Sequence, residues 1–241
     1  MHRADASENN LAWYCRVMDA HGLAYACDAD LWALARDRAP PYYSDIVTRV
    51  AGDPERQLAA IDAIVAERRP HPLGVADCAA ALDVAAMAAL GFRILFDAEW
   101  FGVDDAVKPE RETALRFERV TTAPELADWE ARWRQWSPSP AGRVFPPAVL
   151  QHADNAFWTL RDREHAVGGA ITHVDRHGIG LSNVFVGTEP ARAGVLRDAV
   201  RHAMALTDDR PVVGYGDATD LDDLAPLTVS PLGRHRIWLH Q

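Results

Sequence analysis

The sequence predicts an α+β fold laid down twice along a single chain, and three observations carry that expectation. Residues 123–240 run through a helix, three strands, a helix, a strand, a helix and a strand. Residues 23–101 run through three strands, a helix, a strand, a helix and a strand, which is nearly the same order. The 241 residues leave room for this, since at about 150 residues per domain they make one large domain or two small ones.

In the first half, Leu23 to Cys27, Leu31 to Ala35 and Tyr42 to Val50 are strand-like. Asp53-Pro54 opens a helix, because proline at the first helical position gives up only an N–H that would lack a partner anyway. Its apolar stripe is Leu58, Ile61, Ile64 and Val65, and it stops at Pro70. Leu73-Gly74-Val75 is a short strand. Asp77 is the expected cap of the Ala-rich helix that follows, which Gly91 ends at its C′ position. Phe92 to Phe101 is the closing strand.

The second half opens with residues 123–136, where Leu126, Trp129, Trp133 and Trp136 recur at steps of three and four along one helix face. Phe157 to Arg161, Ala166 to Val174 and Ile179 to Val186 are strands joined by the polar turns 162–164 and 175–178, an antiparallel meander. Thr188, Glu189 and Pro190 mark the start of a helix whose stripe is Val195, Leu196, Ala199, Val200 and Ala203. A strand over 212–215, a short acidic helix around Asp220 to Leu227 and a strand from about Arg234 to His240 complete the chain.

Landmarks in the two halves match in order: Ser44 with Ser182, Pro54 with Pro190, Gly74 with Gly214 and Trp100 with Trp238. This points to an ancient duplication, with an N-terminal half over 1–105, a C-terminal half over 114–241 and the charged stretch 104–113 as linker.

Composition narrows the class. The chain is 49% hydrophobic and 25% charged, as soluble globular proteins are, and its net charge of −10 disfavours nucleic acid, whose phosphates call for clustered Lys and Arg. The polar start MHRADASENN has no apolar core of the signal-peptide kind, and no apolar run is long enough for a membrane span. Cys15, Cys27 and Cys78 are odd in number and lack C-x-x-C spacing, so they read as reduced small hydrophobes. The expectation is a soluble, acidic, cytoplasmic protein with no nucleic-acid or membrane partner.

From about Phe117 to His240 the chain resembles the GNAT N-acetyltransferase superfamily. GLSNVFV is similar to that family's central strand, PARAGVLRDAVRHAM to the helix after it, VVGYGDATDLDDL to the next strand and helix, and PLGRHRIWL to the final hairpin. The first half ends its last helix in the Gly91-Phe92 step typical of the family. The resemblance implies tandem GNAT-like halves, each with a mixed central sheet flanked by helices. It implies acetyl-CoA or another acyl-CoA as donor. The pantetheine arm would lie along Val184, Phe185 and Val186, and the diphosphate at the helix start beside Arg192, Ala193 and Gly194. The family signature R/Q-x-x-G-x-G/A is degenerate here: EPARAG lacks the paired glycines, and GDPERQLA in the first half has no glycine after Gly52.

Acyl transfer to an amine needs a base for the amine proton and an acid for the leaving group. Tyr215 holds the position of an acid or an arm contact, and a buried structural tyrosine is the alternative. His173 is a candidate base or a cross-strand residue. Ser182 and Asn183, polar in an apolar strand, are candidate acceptor contacts, as are Trp136 as an aromatic wall and Asp217 as an attractor of a cationic amine. His173 and His177 flank a turn rather than a helix face, so no metal site is expected. Two other readings stay open: a CoA-independent enzyme or small-molecule binder on a degenerate GNAT fold, and a non-catalytic structural or regulatory module. The protein would be a monomer, as an internal pseudodimer, or a homodimer.

Overall fold

The computed structural model describes residues 1–36, 38–68, 72–104, 115–136, 143–187, 194–207, 210–224 and 226–240. Its first element is one the sequence reading did not contain. Helix α1, Arg3–His21, begins where the backbone N–H of His2 donates to Asp5 Oδ2 at 3.0 Å, and ends on Gly22 in the left-handed region at φ 70°. Strands β1 (Tyr25–Cys27), β2 (Leu31–Leu34) and β3 (Ile46–Thr48) follow, then α2 (Pro54–Arg68), β4 (Gly74–Asp77), α3 (Val84–Ala89) and β5 (Phe92–Val103). The cap of α3 is Asp83, whose carboxylate accepts from Ala86 N at 2.8 Å. Asp77 sits one turn earlier, fully buried, and ties down the β4–α3 loop through Ala81 N and Leu82 N.

The second half comprises β6 (Arg116–Arg119), α4 (Ala123–Trp136), a 3-10 helix (Pro147–Gln151), β7 (Asn155–Asp162), β8 (His165–Val174) and β9 (Ile179–Val186). Helix α5 (Val195–Leu206), β10 (Val212–Gly216), α6 (Ala218–Asp223) and β11 (Val229–His240) complete it. Strand β6 was not foreseen. The helix-opening reading of Thr188, Glu189 and Pro190 lies outside the described residues, as does most of the 104–113 linker.

All eleven strands form one sheet in the order β1-β2-β3-β4-β11-β5-β10-β9-β8-β7-β6. The sheet is mixed: β3–β4 and β9–β10 are parallel, while the other described pairs are antiparallel. The two closing strands trade places. Strand β11 inserts beside β4, β5 lies beside β10, and the two pair with each other from Val103–Val229 to Phe92–His240. Cutting the chain between the halves would therefore leave each part without the strand that covers its parallel pair.

Helices cover both faces. Helices α1 and α4 share one core with Trp32, Val47, Trp100, Phe157, Phe185 and Val213. On the opposite face α5 packs against Phe101, Trp158, Ile179 and Val212, and α2 and α3 pack against Ile46, Val75, Phe92 and Trp238. Burying these apolar faces is the main source of stability. It also positions the site, because α1 lies across strands drawn from both halves.

Candidate functional site

Strands β9 and β10 pair only at their beginnings, Ile179 with Val212 and Gly180 with Val213. Beyond Gly180, strand β9 runs on to Val186 with no strand hydrogen-bonded on its β10 side among the described residues. The divergence has a local cause. The β8–β9 register slips between Ile171–Ser182 and Gly169–Phe185, so Asn183 and Val184 together face Ala170. Asn183 takes φ +49°, a left-handed conformation that asparagine tolerates better than most residues. A bulge of this kind bends the strand that carries it, and bulges recur beside active sites.

Helix α1 roofs the divergence and leaves a cleft of about 290 Å3, counting the part open to solvent. Asn9 packs on Gly180, where any Cβ would collide with its Oδ1. Asn9 Nδ2 donates to Asp175 Oδ1 at 2.7 Å and to the Gly178 carbonyl at 3.3 Å, and His177 Nδ1 lies 3.1 Å from Asp5 Oδ1, so these contacts anchor α1 to the β8–β9 turn. The anchoring also separates the paired histidines. His177 reaches Asp5 of α1, whereas His173 lines the cleft, and no group of three or more metal-ligating side chains occurs among the described residues.

The cleft brings together three residues singled out in the sequence: His173, Ser182 and Tyr215. His173 is 2% exposed. Its Nδ1 lies 2.9 Å from Asn155 Oδ1, a carbonyl-type acceptor, so Nδ1 carries the hydrogen and Nε2 presents a lone pair. That Nε2 is buried with no partner. Burial, helped by the nearby Arg16 cation, lowers the pKa of His173 to about 4, so the ring is neutral at pH 7. Tyr215 stands edge-on to Trp100 at 5.1 Å and 4.7 Å from the His235 ring. Burial raises its pKa to about 12, so the phenol keeps its proton. Trp13 and Trp100 supply apolar wall, and Asn9 and Asn10 supply polar edge.

The remaining candidates lie elsewhere. Trp136 is half exposed and packs on Gly187, past the end of β9. Asp217 is exposed and caps α6 through Thr219 N and Asp220 N. Asn183 forms the bulge. Val184 and Val186 pack toward the α5 core, and Phe185 packs edge-on to Trp129 at 5.1 Å on the α1 side. Arg192 and Ala193 lie outside the described residues. Gly194 caps α5 at φ +86°. The sequence reading missed Asn155, which sets the tautomer of His173, and all of the α1 residues.

Similarity searches bear on the whole fold. No protein-family model matches the sequence, and no curated protein matches it. Solved structures do. A GCN5-related N-acetyltransferase from Kribbella flavida superposes with a TM-score of 0.66 at 17% identity, covering 100% of this chain and 96% of that one. The fold is that of the GCN5-related N-acetyltransferases. A second such acetyltransferase, from Sphaerobacter thermophilus, gives 0.52 at 14% identity over 99% of this chain and 93% of that one. A functionally unknown conserved protein from Staphylococcus epidermidis gives 0.63 at 14% identity over 89% and 92%.

The residues present suit an acyl-CoA, the donor expected from the sequence, only in part. The unpaired edge of β9 offers backbone N–H and C=O groups to an amide-bearing arm. Among the described residues the N–H groups at the start of α5 do not suit a diphosphate, because the protein's own Asp223 carboxylate is already there. It accepts from Gly194 N at 2.6 Å, Leu196 N at 3.1 Å and Arg197 N at 3.4 Å.

Proposed function

We propose that the chain is an acyltransferase of the GNAT kind that moves an acyl group to the amine of a small molecule held in the cleft. The observation that carries this reading is His173: a buried, neutral imidazole with an unpartnered Nε2, on a residue that lines a cleft beside an unpaired strand edge. A buried acceptor without a donor is costly, and a ligand N–H would satisfy it.

The cleft-lining residues carry no formal charge at pH 7. Such surroundings favour the neutral amine, the nucleophilic form, over the ammonium ion. As the nitrogen bonds to the acyl carbon, its hydrogen becomes acidic and passes to His173 Nε2. The bond from the acyl carbon to its leaving group breaks, and the Tyr215 hydroxyl can supply the proton that group needs. Helix α1 keeps bulk water from the reacting atoms.

The site belongs to the C-terminal half on this reading. The corresponding ends of β3 and β4 are laced together, with Thr48 Oγ1 accepting from Cys78 N at 3.0 Å. The exchange of β5 and β11 supports a duplicated origin in which the N-terminal half completes the sheet and supplies the α1 roof. An assay of thiol release from acetyl thioesters with a panel of primary amines tests the function. Amine-dependent turnover that His173→Ala abolishes is the expected result; no turnover with any amine, together with no amine binding by calorimetry, would refute it.

A further inference from the structure

The Asp223 carboxylate occupies the start of α5, where the resemblance to GNAT proteins places a donor's diphosphate. The first-turn N–H groups of a helix have no partner within the helix, and the helix dipole makes that end attractive to anions. Here both carboxylate oxygens are engaged, one by Gly194 N and the other by Leu196 N and Arg197 N. The carboxylate is not a loose side chain that happens to have folded in. It ends α6, and the next residue, Leu224, is fully buried in the α5 core. Gly194 holds φ +86°, a conformation favouring glycine, and a Cβ there would strike the Arg197 guanidinium.

The start of α2 is closed in a related way, by its own capping aspartate and by Asp30. Asp30 Oδ1 accepts from Asp53 N at 2.8 Å, Asp30 is paired with Arg56 at 2.8 Å, and Asp53 Oδ1 accepts from Arg56 N at 3.0 Å. Both helices that lead into the second strand of a parallel pair thus have at least one opening N–H engaged by an aspartate side chain of the protein.

We propose that Asp223 is a specificity-determining residue that excludes a nucleotide diphosphate from α5, so that the protein accepts acyl thioesters through an uncharged amide arm alone. A diphosphate would have to displace three hydrogen bonds to an ionised acceptor, which are stronger than neutral ones, while meeting like charge. An arm laid along Leu181–Val186 of β9 meets no such barrier. The proposal rests on the acyltransferase reading for the donor's identity, but its claim about α5 does not.

Calorimetry with S-acetyl-pantetheine, acetyl-CoA and inorganic pyrophosphate, on the wild type and on Asp223→Ala and Asp223→Asn, tests it. In the wild type, pyrophosphate does not bind, and acetyl-CoA binds within about 3-fold of S-acetyl-pantetheine, because the nucleotide adds nothing. Asp223→Ala gains pyrophosphate binding and at least ~10-fold preference for acetyl-CoA, as expected when charge-assisted donors are freed. Should Asp223→Ala fail to fold, Asp223→Asn, which removes the charge but keeps an acceptor oxygen, gains in the same direction. A wild-type preference of ~10-fold or more for acetyl-CoA, or pyrophosphate binding by the wild type, overturns the proposal. So does the absence of a gain in a folded variant. If the wild type binds neither thioester and the variants still gain pyrophosphate, the α5 claim stands and the acyltransferase reading falls.

Discussion

Lowering the pH from 7 to 5 should cost this protein a large part of its stability through two buried histidines. His173 and His235 are 2% and 1% exposed. Burial lowers both to about 4 from an ordinary value of 6.5. The unfolded chain therefore takes up protons at these sites as the pH falls through 6.5, while the folded chain refuses them until about 4. More protons bound in the unfolded state means stability falls with falling pH across that window. At pH 5 each histidine contributes a loss of roughly 2 kcal/mol, and the pair roughly 4 kcal/mol, against a typical domain stability of about 5–15 kcal/mol. His202, stacked on Phe117 and set against Trp158, is also lowered to about 4 by burial and adds to the loss in the same direction.

The carboxylates do not confuse this window. Asp97, held low by Arg236, and Asp30, held low by Arg56, lose their contribution only as the pH falls below the ordinary carboxylate range. Urea denaturation at half-unit pH steps from 7.5 to 4.5 is the assay, repeated on the His173→Asn, His235→Phe double variant. The double variant should lose most of the slope. A wild-type unfolding free energy that is flat from pH 7 to 5, or a slope that survives in the double variant, would refute the assignment of neutral buried rings.

Two substitutions probe the cleft from opposite sides. Tyr215→Phe removes only the hydroxyl, so thiol release should drop by roughly 10- to 100-fold while the melting temperature hardly moves; full turnover would remove Tyr215 as the acid. Gly180→Val pushes a side chain into Asn9, which Asp175 and the Gly178 carbonyl hold in place, so α1 must lift. That should cost roughly 1–3 kcal/mol in urea denaturation and expose α1 amides to hydrogen exchange, whereas wild-type exchange would show that α1 does not rest on this glycine.

The meander, α4 and α5 were legible because their burial is one-sided, so the apolar periodicity shows through. Helix α1 was not. It buries Ser7 and Asn9 along with Trp13, Tyr14 and Val17, because polar side chains on its inner face anchor it to the sheet and the β8–β9 turn. A helix whose buried face includes polar residues has no clean stripe to read. Strand β6, with the sequence RFER at the sheet edge, is mostly exposed and likewise gives little pattern. The sequence points to Asp77 as a cap because aspartate commonly serves as one, yet the cap is Asp83 and Asp77 braces the loop between β4 and α3.

Of the candidate site, the sequence singles out Tyr215 by strand order and resemblance, Ser182 as a polar residue in an apolar strand and His173 by its spacing from His177. Asn155 and the α1 roof could not be read from it, since they approach His173 and Gly180 only through tertiary contacts. Asp223 lay within an acidic cluster whose members look alike in sequence. Only the docking of α6 on α5 distinguishes it.

The central claim, that acyl transfer occurs in the cleft where β9 leaves β10, is tested most directly by filling that cleft. Ser182→Trp puts a large side chain at a part-buried position on its wall. Thiol release with the best amine acceptor should fall to background while the circular dichroism spectrum and cooperative unfolding remain those of the wild type. Undiminished turnover in a folded Ser182→Trp protein would contradict the account and place the chemistry elsewhere.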